Sequence, residues 1–210
     1  MKNITCDSMG EAWIESCRYI FTQGKAMKDG SKDIREVLHF FLSIQNHQQK
    51  DALIEKYGDP SMIQWMLSNF LEQKRVPELS NGLSYGTRLF NYHGKNQLDW
   101  VIEKLQKKPE AKSVTIPMIM PNDDTDYIPC VSMLDFKIRD NKLIMVAMCR
   151  AIDFGNKVYA NLIALSKIQS MVADKIKVNV GELHLYVVSA HIYADDYAKI
   201  EGMLHGYNAN

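Results

Sequence analysis

A handful of polar residues stand where a side chain could do more than fold the chain. Cys130 follows Pro129 at the head of the predicted strand CVSMLDFKIR. A thiolate is a strong nucleophile, and a nearby cation favours it. Free cysteines nonetheless serve more often as inert core filler. Arg150 ends the strand KLIMVAMCR, and Asp153 lies just beyond it, at a strand-to-helix connection where loops tend to carry function. His191 and Tyr193 sit two apart at the end of ELHLYVVSAHIY, so a strand aims both at one face. Glu36, with Arg35 beside it, precedes the aromatic run VLHFFLSI and reads most simply as a solvated loop carboxylate. Spacing alone stops at a ligand cleft in a cytosolic α+β domain.

Composition narrows the field. The chain has 210 residues, enough for one domain with a sizeable core. Apolar residues make up 46% and charged residues 24%, which fits a globular fold and not a disordered one. Lys plus Arg and Asp plus Glu both number 25, so no basic excess suggests a nucleic-acid groove or an anionic membrane surface. The N-terminus MKNITCDSMGEAW lacks the apolar core of a signal peptide, and no apolar run approaches a membrane span, so a cytoplasmic location is expected. The cysteines, Cys6, Cys17, Cys130 and Cys149, form no CxxC pair and no set suited to zinc. In a reducing cytoplasm they are free thiols.

The elements that must position these residues follow from periodicity. Residues 8–23, 60–74 and 95–107 carry apolar residues at helical spacing, and residues 156–174 form a longer, largely apolar helix. Residues 25–35 are polar and read as a loop. VLHFFLSI, SVTIPMIM, CVSMLDFKIR, KLIMVAMCR and ELHLYVVSAHIY read as strands, with Asp140-Asn141 turning between the third and fourth. A helix at 195–205 closes the chain. Tight turns between neighbouring strands imply antiparallel pairing, so the expected class is α+β, with the apolar helix lying across the sheet. No repeat or linker divides residues 1–210.

The segment YIPCVSMLDFKIRDNKLIMVAMCRAIDFGNKVYANLIALSKIQ resembles the centre of the thymidylate synthase family. That family's pattern is a Pro-Cys strand, a hairpin, a strand ending in Arg, then Asp, then Asn eight residues later. Here these are Cys130, Arg150, Asp153 and Asn161. GELHLYVVSAHIY resembles the family's Ala-His-Ile-Tyr strand end, giving His191 and Tyr193. LSYGTRLFNYHG resembles its Tyr-Gly segment, giving Tyr85, and IREVLHFFLSI resembles the segment holding its active-site glutamate, giving Glu36. The resemblance runs in order over about residues 8–205 and implies a thymidylate synthase-like fold with a mixed, largely antiparallel sheet flanked by helices. In length it is closest to compact archaeal-type members and cytidylate hydroxymethylases.

What the resemblance implies is a methylation or hydroxymethylation at C5 of a pyrimidine nucleotide such as dUMP, CMP or dCMP, with 5,10-methylenetetrahydrofolate as co-substrate. Cys130 would attack C6, Arg150 would favour its thiolate and contact phosphate, and Glu36 with Tyr85 would organise water and protons. Asn161 would meet the base edge, Asp153 the pterin, and His191 with Tyr193 the sugar hydroxyl. A homodimer is implied, with Lys112 acting across the interface. The family's paired arginines fall on Lys112 and Ser113, and other family positions on Val131, Cys149, Ala151 and Lys157. The phosphate-loop arginine has no clear match; Lys25, Lys28 and Lys32 are the candidates. The long closing tail is expected to be short or missing. These departures leave two further readings: a catalytically inactive nucleotide- or folate-binding protein on the same fold, and a substrate without phosphate.

Overall fold

The computed structural model describes residues 2–47 and 50–208. In chain order the elements are β1 (Lys2–Cys6), α1 (Met9–Gln23), β2 (Lys25–Asp29), β3 (Lys32–Ile44), α2 (Ala52–Tyr57), α3 (Pro60–Leu71), β4 (Arg75–Val76), β5 (Gly82–Leu83), α4 (Tyr85–Phe90), α5 (Gln97–Lys107), β6 (Thr115–Pro117), β7 (Val131–Arg139), β8 (Lys142–Asp153), α6 (Val158–Ile176), β9 (Asn179–Tyr193) and α7 (Tyr197–Asn208). The main sheet runs β1-β3-β9-β8-β7-β6, with β2 paired to β3. β1·β3 and β8·β9 are parallel, and the other ladders of this sheet are antiparallel. This is the mixed, largely antiparallel α+β sheet flanked by helices that the sequence predicts.

The predicted helices form where caps and stripes coincide. Ser8 accepts from the Glu11 N–H at the start of α1, and Asp59 accepts from Ser61 ahead of Pro60 in α3. α6 buries Leu162, Leu165, Ile168 and Val172 and packs against β8, β9, α1, α3 and α5. It is the long apolar helix expected across the sheet. Asp140 and Asn141 both take positive φ, 49° and 57°, which matches the twist of the β7–β8 hairpin. None of the helices among the described residues is long and apolar enough to cross a membrane.

Residues 25–35 depart from expectation. They are a hairpin, β2 and the start of β3, and not a loop. Every residue of β2 is exposed, so it lies at the sheet's edge with no buried face and hence no alternating pattern to read. The strand expected over SVTIPMIM shrinks to Thr115–Pro117, since prolines cannot donate to a ladder. The loop that follows is pinned instead by charge. Buried Arg88 of α4 pairs with Asp124, which also accepts from the Met120 N–H, and Arg88 donates to the Met118 carbonyl. That loop leads directly to Cys130.

Candidate active site

The cavity of about 330 Å³ at one end of the sheet is built by register. Glu36 on β3 pairs with His191 on β9, and His191 pairs in turn with Asp153 on β8. One row across three strands therefore places two carboxylates on either side of an imidazole. Two residues further along β3 and β9, on the same face, Ile34 pairs with Tyr193. Cys130 and Arg150 enter from the β7–β8 edge, where the Arg150 N–H donates to the Cys130 carbonyl. A bulge at Val131/Met133 sits beside Cys130 and breaks the regular alternation there. The cavity is lined by Glu36, Cys130, Arg150, Asp153, His191 and Tyr193, together with Met27, Lys28 and Asp29 of β2.

Several of these side chains are held from behind. Arg150 donates through Nε to the Pro129 carbonyl at 3.2 Å and through Nη2 to that of Ile128 at 2.7 Å, fixing the approach to Cys130. The Val131 N–H donates to the buried Tyr85 hydroxyl at 2.9 Å. Asp153 Oδ1 accepts from the Gly155 and Asn156 N–H groups and so shapes the turn into α6. The next residue, Phe154, donates its N–H to the His191 carbonyl and accepts from Trp13 of α1. Ser189 donates to Glu36, and the Tyr193 hydroxyl donates to Asp29 at 2.8 Å.

Electrostatics set the resting state of these groups. Burial pushes the Cys130 thiol up; Arg150 and Lys157 pull it back down, and Asp153 opposes them. Desolvation outweighs the two cations, so the net shift of the thiol is upward. Burial raises the Asp153 carboxyl, partly offset by His191, and burial lowers the His191 imidazole, partly offset by Asp153. An uncharged imidazole can both give and take a proton.

Three predicted residues lie outside the cavity wall. Tyr85 is buried beneath Cys130 and reaches it through the backbone of Val131. Asn161 is buried one turn into α6 and donates its amide to the Lys157 carbonyl. Lys112 is exposed on the segment before β6, a strand separated from β9 by β8 and β7 in the sheet order, and does not line the cavity. Conversely, sequence reading gave no site role to Asp29, Ser189, Lys157 or Tyr127. Ser189 lies two before His191, so the same alternation that groups His191 and Tyr193 would have found it. Tyr127, near Cys130 in YIPC, acts on the thiol in the direction of the thiolate, against the larger effect of burial. Asp29 and Lys157 carry no local signal, because pairing of β2 and the start of α6 bring them in.

A family model described as thymidylate synthase matches residues 31–208. Relatives from three organisms share nearly the whole chain. A protein of Methanosarcina barkeri is 31% identical, across 98% of this chain and 95% of its own. One of Methanosarcina acetivorans is 32% identical, across 98% and 95%. One of Methanothermobacter thermautotrophicus is 33% identical, across 96% and 98%. Each bears the name "Putative thymidylate synthase". The match spans the strands that carry Glu36, Arg150, Asp153 and His191 and the residue before β7, Cys130, and on it the chain belongs to the thymidylate synthase family.

Proposed function

We propose that this protein transfers a one-carbon unit to C5 of a pyrimidine ring through a covalent bond between Cys130 and C6. The observation that carries the reading is the gathering of a guanidinium, an imidazole and two carboxylates from β3, β8 and β9 with the thiol that precedes β7 in one cavity. Family membership supports the same chemistry. The Cys130 thiolate adds to C6, and electron density moves to C5. C5 bonds to the methylene carried by 5,10-methylenetetrahydrofolate, the co-substrate, and the C5 proton leaves to a base. The folate nitrogen departs, leaving an exocyclic methylene. Hydride from the folate gives a methyl group; addition of water gives a hydroxymethyl group. Expulsion of the Cys130 thiolate frees the product.

Roles follow from position. Arg150 stands nearest in chain pairing to Cys130 and stabilises the developing thiolate. Glu36 and His191, paired across β3 and β9, exchange protons with ring and water. Asp153 lines both this cavity and a neighbouring one of about 660 Å³, so its carboxylate faces the space offered to a pterin. Tyr85 positions Cys130 through Val131. Asn161 reaches the base edge only if its amide releases the Lys157 carbonyl. The test is release of tritium from 5-tritiated uracil and cytosine substrates with methylenetetrahydrofolate. Wild type should release it, and Cys130→Ser, folded to the same midpoint, should release less than about a thousandth as much. No release from any of them by wild type would sink the reading.

The same reading includes a two-fold dimer. Away from the helices, β3, β8 and β9 present Phe41, Val146, Met148 and Tyr186, all only half buried. A broad apolar sheet face suits a self-complementary contact. Sedimentation should give twice the chain mass, and Met148→Lys should shift it toward monomer. In such a dimer Lys112 could meet only the partner's cavity.

A further inference from the structure

Resting on that reading of the cavity, we infer that Asp29 is a positioning residue for substrate choice: it receives the Tyr193 hydroxyl proton in a hydrogen bond, so that the Tyr193 oxygen faces the substrate as an acceptor and the sugar hydroxyl it meets has to donate. In a pyrimidine nucleotide the sugar hangs from N1, the ring atom bonded to C6. A ring attacked at C6 by Cys130 therefore keeps its sugar close to the cavity that Cys130 lines. Cys130 and Arg150 enter that cavity from the β7–β8 side, and the strands beyond β8 in the sheet order, β9, β3 and β2, bring Tyr193 and Asp29 to it.

Three contacts fix Tyr193. Its hydroxyl donates to Asp29 Oδ2 at 2.8 Å. The Lys32 ammonium lies 5.1 Å from its ring centroid. The His191 ring stands edge-on to it, with centroids 5.1 Å apart. Asp29 is set in turn by the hairpin: it pairs with Lys32 across a turn where Gly30 takes a φ of 59°, and Lys32 reaches on to Asp195 at 3.5 Å. A phenol owns one proton and can accept through its oxygen. Burial, and then the bond to Asp29, push the Tyr193 phenol up to about 12, so at neutral pH the proton stays on the phenol and points at Asp29. A carboxylate holds it firmly, because charge-assisted bonds are about twice as strong as neutral ones. What the half-buried Tyr193 then offers the cavity is an acceptor. A hydroxyl satisfies it by donating. A group that cannot donate leaves it unpaired.

The experiment compares each 5-tritiated pyrimidine nucleoside monophosphate (uracil and cytosine, ribose and deoxyribose) with its 3′-fluoro counterpart, with methylenetetrahydrofolate present. Fluorine cannot donate, and the readout is the ratio of kcat/KM, hydroxyl to fluoro, for the best pair. Wild type should favour the hydroxyl by at least about tenfold. Asp29→Ala frees the phenolic proton to turn toward the substrate, so the ratio should fall to about threefold or less. Asp29→Asn still presents an oxygen to that proton and should keep most of the wild-type ratio. In a Tyr193→Phe background, Asp29→Ala should change the ratio no further, since Asp29 works through the phenol. A wild type indifferent to fluorine, an unchanged ratio in Asp29→Ala, a ratio lost equally in Asp29→Asn, or a further change in the Tyr193→Phe background overturns the inference while the transfer reading survives. If nothing is turned over, calorimetric affinities of the intact protein for the same pairs supply the ratio. The expected pattern then keeps the inference and removes the transfer reading; its absence, or no binding, removes both.

Discussion

At the scale of single residues, the central question is how a desolvated thiol becomes a nucleophile. Burial holds the Cys130 proton on, and Arg150 and Lys157 act against it. Arg150 also braces the backbone before Cys130, so its removal confounds charge with structure. Lys157 offers a cleaner probe: its exposed side chain lines the cavity and makes no ion pair within 4 Å among the described residues. Lys157→Met should raise the pH at which iodoacetamide alkylates Cys130 by a few tenths to about one unit, and Lys157→Arg should leave it in place. The other thiols, Cys6, Cys17 and Cys149, are buried, so the reaction reports on Cys130. Coincident profiles for wild type and Lys157→Met would remove Lys157 from this role.

At the scale of elements, the approach to Cys130 depends on a buried ion pair. Arg88 is fully buried, and Asp124 answers it from a loop with little secondary structure of its own. Breaking such a pair from one side leaves an uncompensated charge and commonly costs about 3–5 kcal/mol. Asp124→Ala should therefore lower the urea midpoint by a corresponding amount and loosen residues 118–126. Arg88→Met with Asp124→Leu should recover much of the loss, because the charge burial then disappears from both sides. Hydrogen exchange at the Met120 amide, which donates to Asp124, should quicken in the single variant. If the single variant matches wild type in midpoint, the ion pair is not what anchors this loop. α4 also meets the end of α3 closely: a Cβ on Gly86 would lie 2.3 Å from the Glu72 carbonyl oxygen. That approach brings Tyr85 beneath the Cys130 strand.

For the whole molecule, buried thiols link stability to pH. Burial pushes Cys6 up to about 12, and raises Cys17 and Cys149 as well. An unfolded chain releases these protons near pH 8.5. The folded state binds them more tightly, so their contribution is complete below that pH and is lost as the pH rises toward the folded values. Each fully buried thiol then costs about 1.4 kcal/mol per pH unit. The urea midpoint should fall between pH 8 and pH 10.5. Replacing Cys17 and Cys149 by alanine should flatten that fall, although both variants start from a lower midpoint because they leave cavities. A midpoint independent of pH across that range would contradict the burial.

Consecutive residues were enough to read the parts whose information is local. Helices α1, α3, α5 and α6 carry their stripes and stops in consecutive residues, and the β7–β8 hairpin carries its turn in Asp140-Asn141. Quoted motifs supplied the thymidylate synthase likeness and the names of Cys130, Arg150, Asp153 and His191. The rest depends on contacts between segments distant in the chain. The row of Glu36, His191 and Asp153 exists only once β3, β9 and β8 settle in register, which no one segment encodes. β2 hid because an edge strand exposed on both faces needs no apolar alternation, and with it hid Asp29 and Lys28. Whether burial or a neighbouring cation governs the Cys130 proton likewise depends on what packs around it, since desolvation belongs to the folded molecule and not to the chain.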